Sequence, residues 1–200
     1  MTITWLGQNC FKIEGKQASI VIDPISGAGL KMPKVIADIL VLPRPWPEKD
    51  LTFIKGSSTV IQTPGEFEIK GIFIEGQVFG NKAQIIYRLE MEGMRLGHLG
   101  NFEKNNDEAA TSFLEDVGIL FVPVGGGAVL GPAEAAEAVS SIEPRLVIPM
   151  HYRQPGAATL QPVEKFCQAM GVKSPERLKK VSLTKKDLPN EETRLVILEA

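Results

Sequence analysis

Histidine is almost absent from this chain: His98 and His151 are the only two among 200 residues. Two imidazoles alone cannot hold a dinuclear metal centre, so such a site would need ligands of other types. Cysteine is as scarce, and Cys10 and Cys167 lie far apart, which fits a reduced compartment and two buried, inert thiols. No apolar run reaches the roughly 20 residues needed to span a bilayer. Met1-Thr2-Ile3-Thr4-Trp5 lacks the basic and then apolar start of a secretory signal, so the expectation is a soluble cytoplasmic protein with no membrane partner. Basic charge is also short: the net charge is -2, which argues against affinity for nucleic acid built on many phosphate contacts. The small cluster Lys179, Lys180, Lys185 and Lys186 is blunted by Asp187, Glu191 and Glu192 and reads as solvated surface.

What the chain does hold is enough apolar sequence for a core. Hydrophobic residues make up 44% of the composition, and the length suits one domain over residues 1–200. The first half reads as short strands punctuated by Gly and Pro: Thr2 to Leu6, Cys10 to Glu14, Ala18 to Ile22, Ile39 to Leu42, Thr59 to Gln62, Phe67 to Ile69, Ile72 to Phe79 and Ala83 to Met91. Their spacing predicts an antiparallel meander. After Asn101 the pattern changes. Asn105-Asn106-Asp107 can cap a helix reaching Asp116, and the apolar run from Ile119 to Val124 follows as a strand. The rhythm repeats with a helix from Pro132 to Ser141 and a buried strand from Leu146 to Met150. A third helix spans Pro162 to Met170, and Lys180 to Leu183 and Arg194 to Leu198 are short enough to be edge strands. No internal repeat or linker interrupts this order, so an α/β sandwich is expected.

Both histidines stand where an apolar strand-like run ends, the position from which side chains reach the loop face of α/β proteins. Six segments share this character: Ile3-Thr4-Trp5-Leu6-Gly7-Gln8-Asn9-Cys10-Phe11, Ile20-Val21-Ile22-Asp23-Pro24, Pro64-Gly65-Glu66-Phe67-Glu68-Ile69, His98-Leu99-Gly100-Asn101, Pro123-Val124-Gly125-Gly126 and Ile148-Pro149-Met150-His151-Tyr152. In order and spacing they resemble the metallo-β-lactamase fold superfamily, and within it the small bacterial Zn-dependent hydrolase-like proteins related to the ascorbate-6-phosphate lactonase group. The resemblance implies a four-layer αββα sandwich whose strand-end loops assemble a one- or two-metal hydrolytic site. Its catalytic members take ligands from a His-x-His-x-Asp-His loop, a later His, an Asp in a Gly-Asp turn and a final His.

Set against that pattern, the strand Ile39 to Leu42 runs into Pro43-Arg44-Pro45-Trp46-Pro47-Glu48-Lys49. Arg44, Trp46 and Lys49 then occupy the three histidine positions, and Glu48 the aspartate position. A guanidinium stays cationic, an indole only donates, and an ammonium would first have to lose its proton. Asn101 stands where the resemblance puts the metal-bridging Asp, and Gln8 where relatives often carry a histidine. Of the former metal-site positions only His151 keeps its residue type, matching the family's final histidine. Gln8, Asp23 and His98 are read as supporting residues behind these positions.

The resulting expectation is a degenerate, non-catalytic family member with no cofactor, binding a small anionic ligand or a protein partner; a homo-oligomer is compatible with this. Arg44 could hold an anion by a bidentate contact. Alternatively, Arg44 pairs with Glu48 or Glu66 and Trp46 plugs the cavity, and this plug is preferred over an open pocket. The competing expectation is a divergent hydrolase of a small ester, lactone or phosphate. It would bind zinc or another divalent metal weakly through His151 with carboxylates among Glu48 and Glu66, or with His98. Gly125-Gly126-Gly127 is read as a tight turn, since it lacks the spacing and Lys of a phosphate loop.

Overall fold

The structure, a computed structural model, describes residues 1–24, 32–44, 51–79, 84–103 and 108–200. Along the chain the strands are β1 (Thr2–Gly7), β2 (Cys10–Glu14), β3 (Ser19–Ile22), β4 (Val35–Ile36), β5 (Ile39–Val41), β6 (Ile54–Lys55), β7 (Thr59–Ile61) and β8 (Gly65–Ile69). They continue with β9 (Ile72–Phe79), β10 (Gln84–Met91), β11 (Met94–His98), β12 (Ile119–Pro123) and β13 (Leu146–Met150). The last three are β14 (Glu176–Leu178), β15 (Lys180–Ser182) and β16 (Arg194–Leu198). Helices α1 (Glu108–Phe113), α2 (Pro132–Ile142) and α3 (Val163–Ala169) all fall in the second half. None is long and apolar enough to cross a membrane.

Two mixed sheets face each other. The first runs in the order β15-β1-β2-β3-β5-β7 and the second in the order β14-β16-β13-β12-β11-β10-β9-β8, with β4 and β6 forming a separate parallel ribbon. Period-two alternation decides which side chains meet between them. Ile3 and Trp5 of β1, Ile20 and Ile22 of β3 and Ile39 and Val41 of β5 point into a core shared with the second sheet. Phe11 packs against Phe121 there with ring centroids 4.3 Å apart and planes tilted by 38°. β12 and β13 are buried at every position, because helices cover the face turned away from the first sheet. In α2 the buried residues Ala135, Ala138, Val139 and Ile142 follow the i, i+3, i+4, i+7 spacing of one helix face. Pro132 opens that helix, and the Glu134 carboxylate accepts the Gly131 N–H at 2.7 Å.

The helical cover differs between the outer faces. Val21 and Leu40 turn away from the shared core and pack with Cys10, Val35, Ala37, Leu42 and Phe53. No residue of the three described helices joins this cluster, so among the described residues the first sheet's outer face is covered by the β4–β6 ribbon and its flanks. The antiparallel meander expected for the first half is corrected: β3 pairs with β5, and β5 with β7, in parallel. The stretches from Ile22 to Ile39 and from Val41 to Thr59 exceed the dozen residues that a parallel crossover needs; Gly and Pro there punctuate crossovers rather than hairpins. β16 is not an edge strand as expected but lies between β14 and β13. Its Leu195, Val196, Ile197 and Leu198 are all buried, while the exposed β14 takes the edge.

Gly125 fixes how the two halves of the site approach. A Cβ placed there would stand 2.1 Å from the His151 carbonyl oxygen, a backbone atom that cannot swing aside. Gly126 and Gly127 adopt left-handed φ values of 73° and 77°, and the Gly126 N–H donates to the Leu130 carbonyl at 2.9 Å, which closes a loop rather than the expected tight turn. Gly125→Ala should therefore destabilise the protein by about 1–3 kcal/mol, read as a lower urea midpoint at unchanged slope. An unshifted midpoint would contradict the close approach.

Candidate functional site

Five strand ends converge on one buried amide. The turn between β1 and β2 carries Gln8 and Asn9, Asp23 follows β3, β5 leads to Arg44, β11 ends at His98 with Asn101 in the following turn, and His151 follows β13. Asn9 is 4% exposed. Its Nδ2 donates to Asp23 Oδ2 at 3.0 Å and to Asn101 Oδ1 at 2.6 Å. With both N–H groups used, its Oδ1 is the acceptor for His151 Nδ1, 2.9 Å away. His151 thus carries its proton on Nδ1 and keeps the lone pair on Nε2. The backbone reinforces the arrangement: the Gln8 carbonyl accepts from the His151 N–H at 3.0 Å and from Trp5 Nε1 at 2.9 Å.

His98 is held differently. It is fully buried, and its Nδ1 accepts the Gly100 N–H at 3.2 Å, which leaves Nε2 protonated and donating to the Asn9 carbonyl at 2.9 Å. Both ring nitrogens are engaged, so this imidazole presents no lone pair to a metal. Phe11 and Phe121 pack against its ring. Burial holds its pKa below the ordinary 6.5, with the Asp23 charge pulling the other way. Burial likewise lowers His151; the Asp23 charge opposes this and Arg44 adds to it. Cys10 is fully buried and its thiol is pushed well above 9.0, chiefly by desolvation, so it is no nucleophile.

Asp23 is the charged centre of the group. It is 1% exposed, its Oδ1 accepts no hydrogen bond among the described residues, and Arg44 Nη2 lies 3.6 Å from that oxygen. The Arg44 side chain is 45% exposed, so the ion pair joins a buried carboxylate to a partly solvated guanidinium. Gln8, Asp23 and His151 all adopt left-handed backbone, with φ of 49°, 45° and 52°. Such conformations cost of order 1–3 kcal/mol each and persist where surrounding contacts over-determine them. The Gln84 amide clamps the Asn101 backbone, donating to its carbonyl at 3.0 Å and accepting from its N–H.

The structure thus brings Gln8, Asp23, Arg44, His98, Asn101 and His151 together. Glu66 instead lines a groove with Phe73, Glu75 and Arg88 on the second sheet. Trp46, Glu48 and Lys49 lie outside the described residues. Asn9, the hub, is not among the site residues that sequence reasoning singles out. Its signal is a polar pair, Gln8-Asn9, between two apolar strands. Among the described residues no group of three or more His, Cys, Asp and Glu side chains could hold a metal ion. The described donor set there is one carboxylate, one imidazole lone pair, two amides and a guanidinium, which by themselves do not fit the metal centre the fold implies.

The profile of a family described as a beta-lactamase superfamily domain matches residues 2–151, from the first strand to His151. The chain belongs to the metallo-β-lactamase superfamily. A crystal structure from Thermotoga maritima, provisionally assigned as a Zn-dependent hydrolase of this superfamily, superposes with a TM-score of 0.86 at 30% identity over 100% of both chains. The chain is also similar to two proteins named UPF0173 metal-dependent hydrolase. One, from Pyrococcus abyssi, is 31% identical over 132 residues, covering 60% of this chain. The other, from Thermococcus onnurineus, is 33% identical over 89 residues, covering 44% of it. The matches span 57% and 39% of those proteins' own lengths, about half.

The His98 environment gives a pH signature. Its folded pKa lies below the unfolded value near 6.5, so the unfolded chain binds the proton first as pH falls. Its contribution is full above pH 6.5 and declines below it. His98→Gln keeps a donor and an acceptor but cannot titrate. It should lower stability at pH 7 by about 1–3 kcal/mol and flatten the loss of urea midpoint between pH 6.5 and 5.5. A variant profile parallel to wild type would reject this assignment.

Proposed function

We propose that this chain is a metallo-β-lactamase-fold protein whose strand-end site works without a dinuclear metal centre and binds a small anion. The observation that carries this reading is Arg44. Its guanidinium stands 3.6 Å from the buried Asp23 carboxylate, at the position where the resemblance puts the first histidine of the metal loop. A guanidinium cannot ligate a cation, but its planar fork of donors suits a phosphate or carboxylate. The amide at Asn101 in place of a carboxylate supports the same reading, since it removes the negative charge that a bridging position needs.

A second reading is metal-dependent hydrolysis of a small ester, lactone or phosphate, as in a lactonase-like branch of the family. The names of the relatives fit this reading better than the first. Within the site its support is His151, whose tautomer leaves the Nε2 lone pair available. A metal bound there would polarise a substrate oxygen or acidify a water. Elemental analysis of protein purified without chelator separates the two. The first reading expects no stoichiometric zinc, manganese or iron; one equivalent of metal that disappears in His151→Ala would replace it with the second.

The anion itself has a separate check. Inorganic phosphate and glucose 6-phosphate should raise the melting temperature of wild type, and the shift should vanish in Arg44→Ala. Equal shifts in both proteins would remove Arg44 as the anion-holding group.

A further inference from the structure

We infer that the open edge of β8 takes up an extended, basic segment of a partner protein as a further antiparallel strand, independently of what the strand-end site binds. β8 ends the eight-stranded sheet, and among the described residues no strand pairs with its outer side. The hairpin fixes which backbone groups point there. Lys70 and Gly71 form the two-residue turn to β9, with left-handed φ of 53° and 73°, and Ile69 pairs with Ile72 across it. In a turn of this kind the two flanking residues exchange both hydrogen bonds, and bonded and non-bonded pairs then alternate up the ladder. Phe67 and Ile69 therefore turn their N–H and C=O groups toward β9, whereas Glu66 and Glu68 turn theirs to the open edge. Four backbone groups are left for a guest strand.

Charge decides which guest fits. Glu66 and Glu68 lie exposed on one face of β8, while Phe67 and Ile69 pack half-buried against the core on the other. Other acids of the exposed face are answered: Glu75 by Arg88 at 2.5 Å and Glu90 by Arg95 at 3.3 Å. Lys70 in the turn is committed to Asp38. Neither Glu66 nor Glu68 has an ion-pair partner among the described residues. Phe73, opposite Glu68 in the ladder and 56% exposed, continues the same face inward. A second copy of the chain does not fit. Pairing β8 antiparallel with itself about Phe67 sets Glu66 opposite Glu68 twice, carboxylate against carboxylate. A strand with Lys or Arg at alternate positions meets both carboxylates instead, forms the four backbone bonds and lays its intervening apolar side chain beside Phe67. Acids on an edge guard against self-association; the same charge here selects a strand of opposite sign.

Fluorescence anisotropy with the full chain and the labelled peptide Val-Lys-Val-Lys-Val tests this. Saturable binding is expected. N-methylation of both lysine amides, which face β8 in the antiparallel register, should abolish it, whereas N-methylation of the central valine, whose N–H faces away, should leave it within about twofold. Glu66→Lys/Glu68→Lys should weaken the lysine peptide about tenfold and take up Val-Glu-Val-Glu-Val in its place. Glu66→Gln/Glu68→Gln, which removes charge without reversing it, should weaken the lysine peptide about threefold and serves if the reversed variant does not fold. No saturable binding by wild type overturns the inference. Equal loss from methylation at lysine and at valine overturns it too, because charge alone would then hold the peptide. A wild-type dimer in sedimentation that Glu68→Pro dissolves, proline being tolerated at an outward N–H of an edge strand, would give the edge to a second copy and overturn the basic partner.

Discussion

A single side-chain amide, that of Asn9, sets the geometry on which the rest of the site depends. An amide has two N–H groups and one carbonyl; Asn9 gives the first two to Asp23 and Asn101 and the third to His151. Each assignment forces the next. Because both donors are spent, the carbonyl must accept; because it accepts, His151 is protonated on Nδ1 and bare on Nε2. The backbone of the same residue does a second job, accepting from His98 Nε2 and so fixing the other imidazole in the opposite tautomer. Two histidines of one small site thereby differ fully: one is locked at both nitrogens inside the core, the other is tethered at one and open at the other.

That hub can be this exacting only because the sheets around it are rigid. The five strand ends belong to two sheets that share a core from Ile3 to Leu198, with Phe11 and Phe121 packed directly beneath His98. Left-handed backbone at Gln8, Asp23 and His151 would relax in a loose loop. Here it is pinned between a strand on one side and a hydrogen-bonded partner on the other. Gly125 is part of the same tension, since only a residue without Cβ lets the exit of β12 pass under the His151 carbonyl. The scaffold and the polar group are mutually dependent: close packing positions the strand ends, and the hydrogen bonds offset the strain there.

The sequence was legible where physics is local. Alternation and turn residues locate most strands within a residue or two, Pro132 marks the start of α2, and the ends of apolar runs point to His98 and His151. Pairing partners were not legible, because a loop long enough for a crossover and a loop folded back as a hairpin share the same Gly and Pro. That is why β3, β5 and β7 are parallel against expectation. β16 lies inside its sheet because Glu176-Arg177-Leu178, too short and polar to register as a strand, takes the edge. Asn9 escaped for a related reason: its bond to His151 spans 142 positions, and nothing within a window of sequence shows that two such residues meet. The ion pair of Arg44 with Asp23 is the same kind of long-range fact.

Fold and chemistry are separable in this superfamily, because one scaffold hosts many sites. The names of the relatives travel with the scaffold; the charge at the strand ends belongs to this chain. A guanidinium and a divalent ion both compensate a buried carboxylate, and both attract an oxyanion. They differ in the chemistry each then permits. A metal offers vacant coordination positions, draws electron density from a bound water and brings its pKa near neutrality. A guanidinium offers only N–H donors in a fixed plane, and it stays protonated throughout the working range. On the metal-free reading proposed above, the half of the chemistry that recognises a negatively charged ligand would survive the exchange of metal for arginine, whereas the half that makes a nucleophile of water would not. Asn101 acts in the same direction: an amide keeps the hydrogen bond to Asn9 that an aspartate would make but contributes no charge to hold a cation. With His98 committed at both nitrogens, the proposed contact with an anion falls to Arg44, the one guanidinium placed beside the buried Asp23 carboxylate among the described residues.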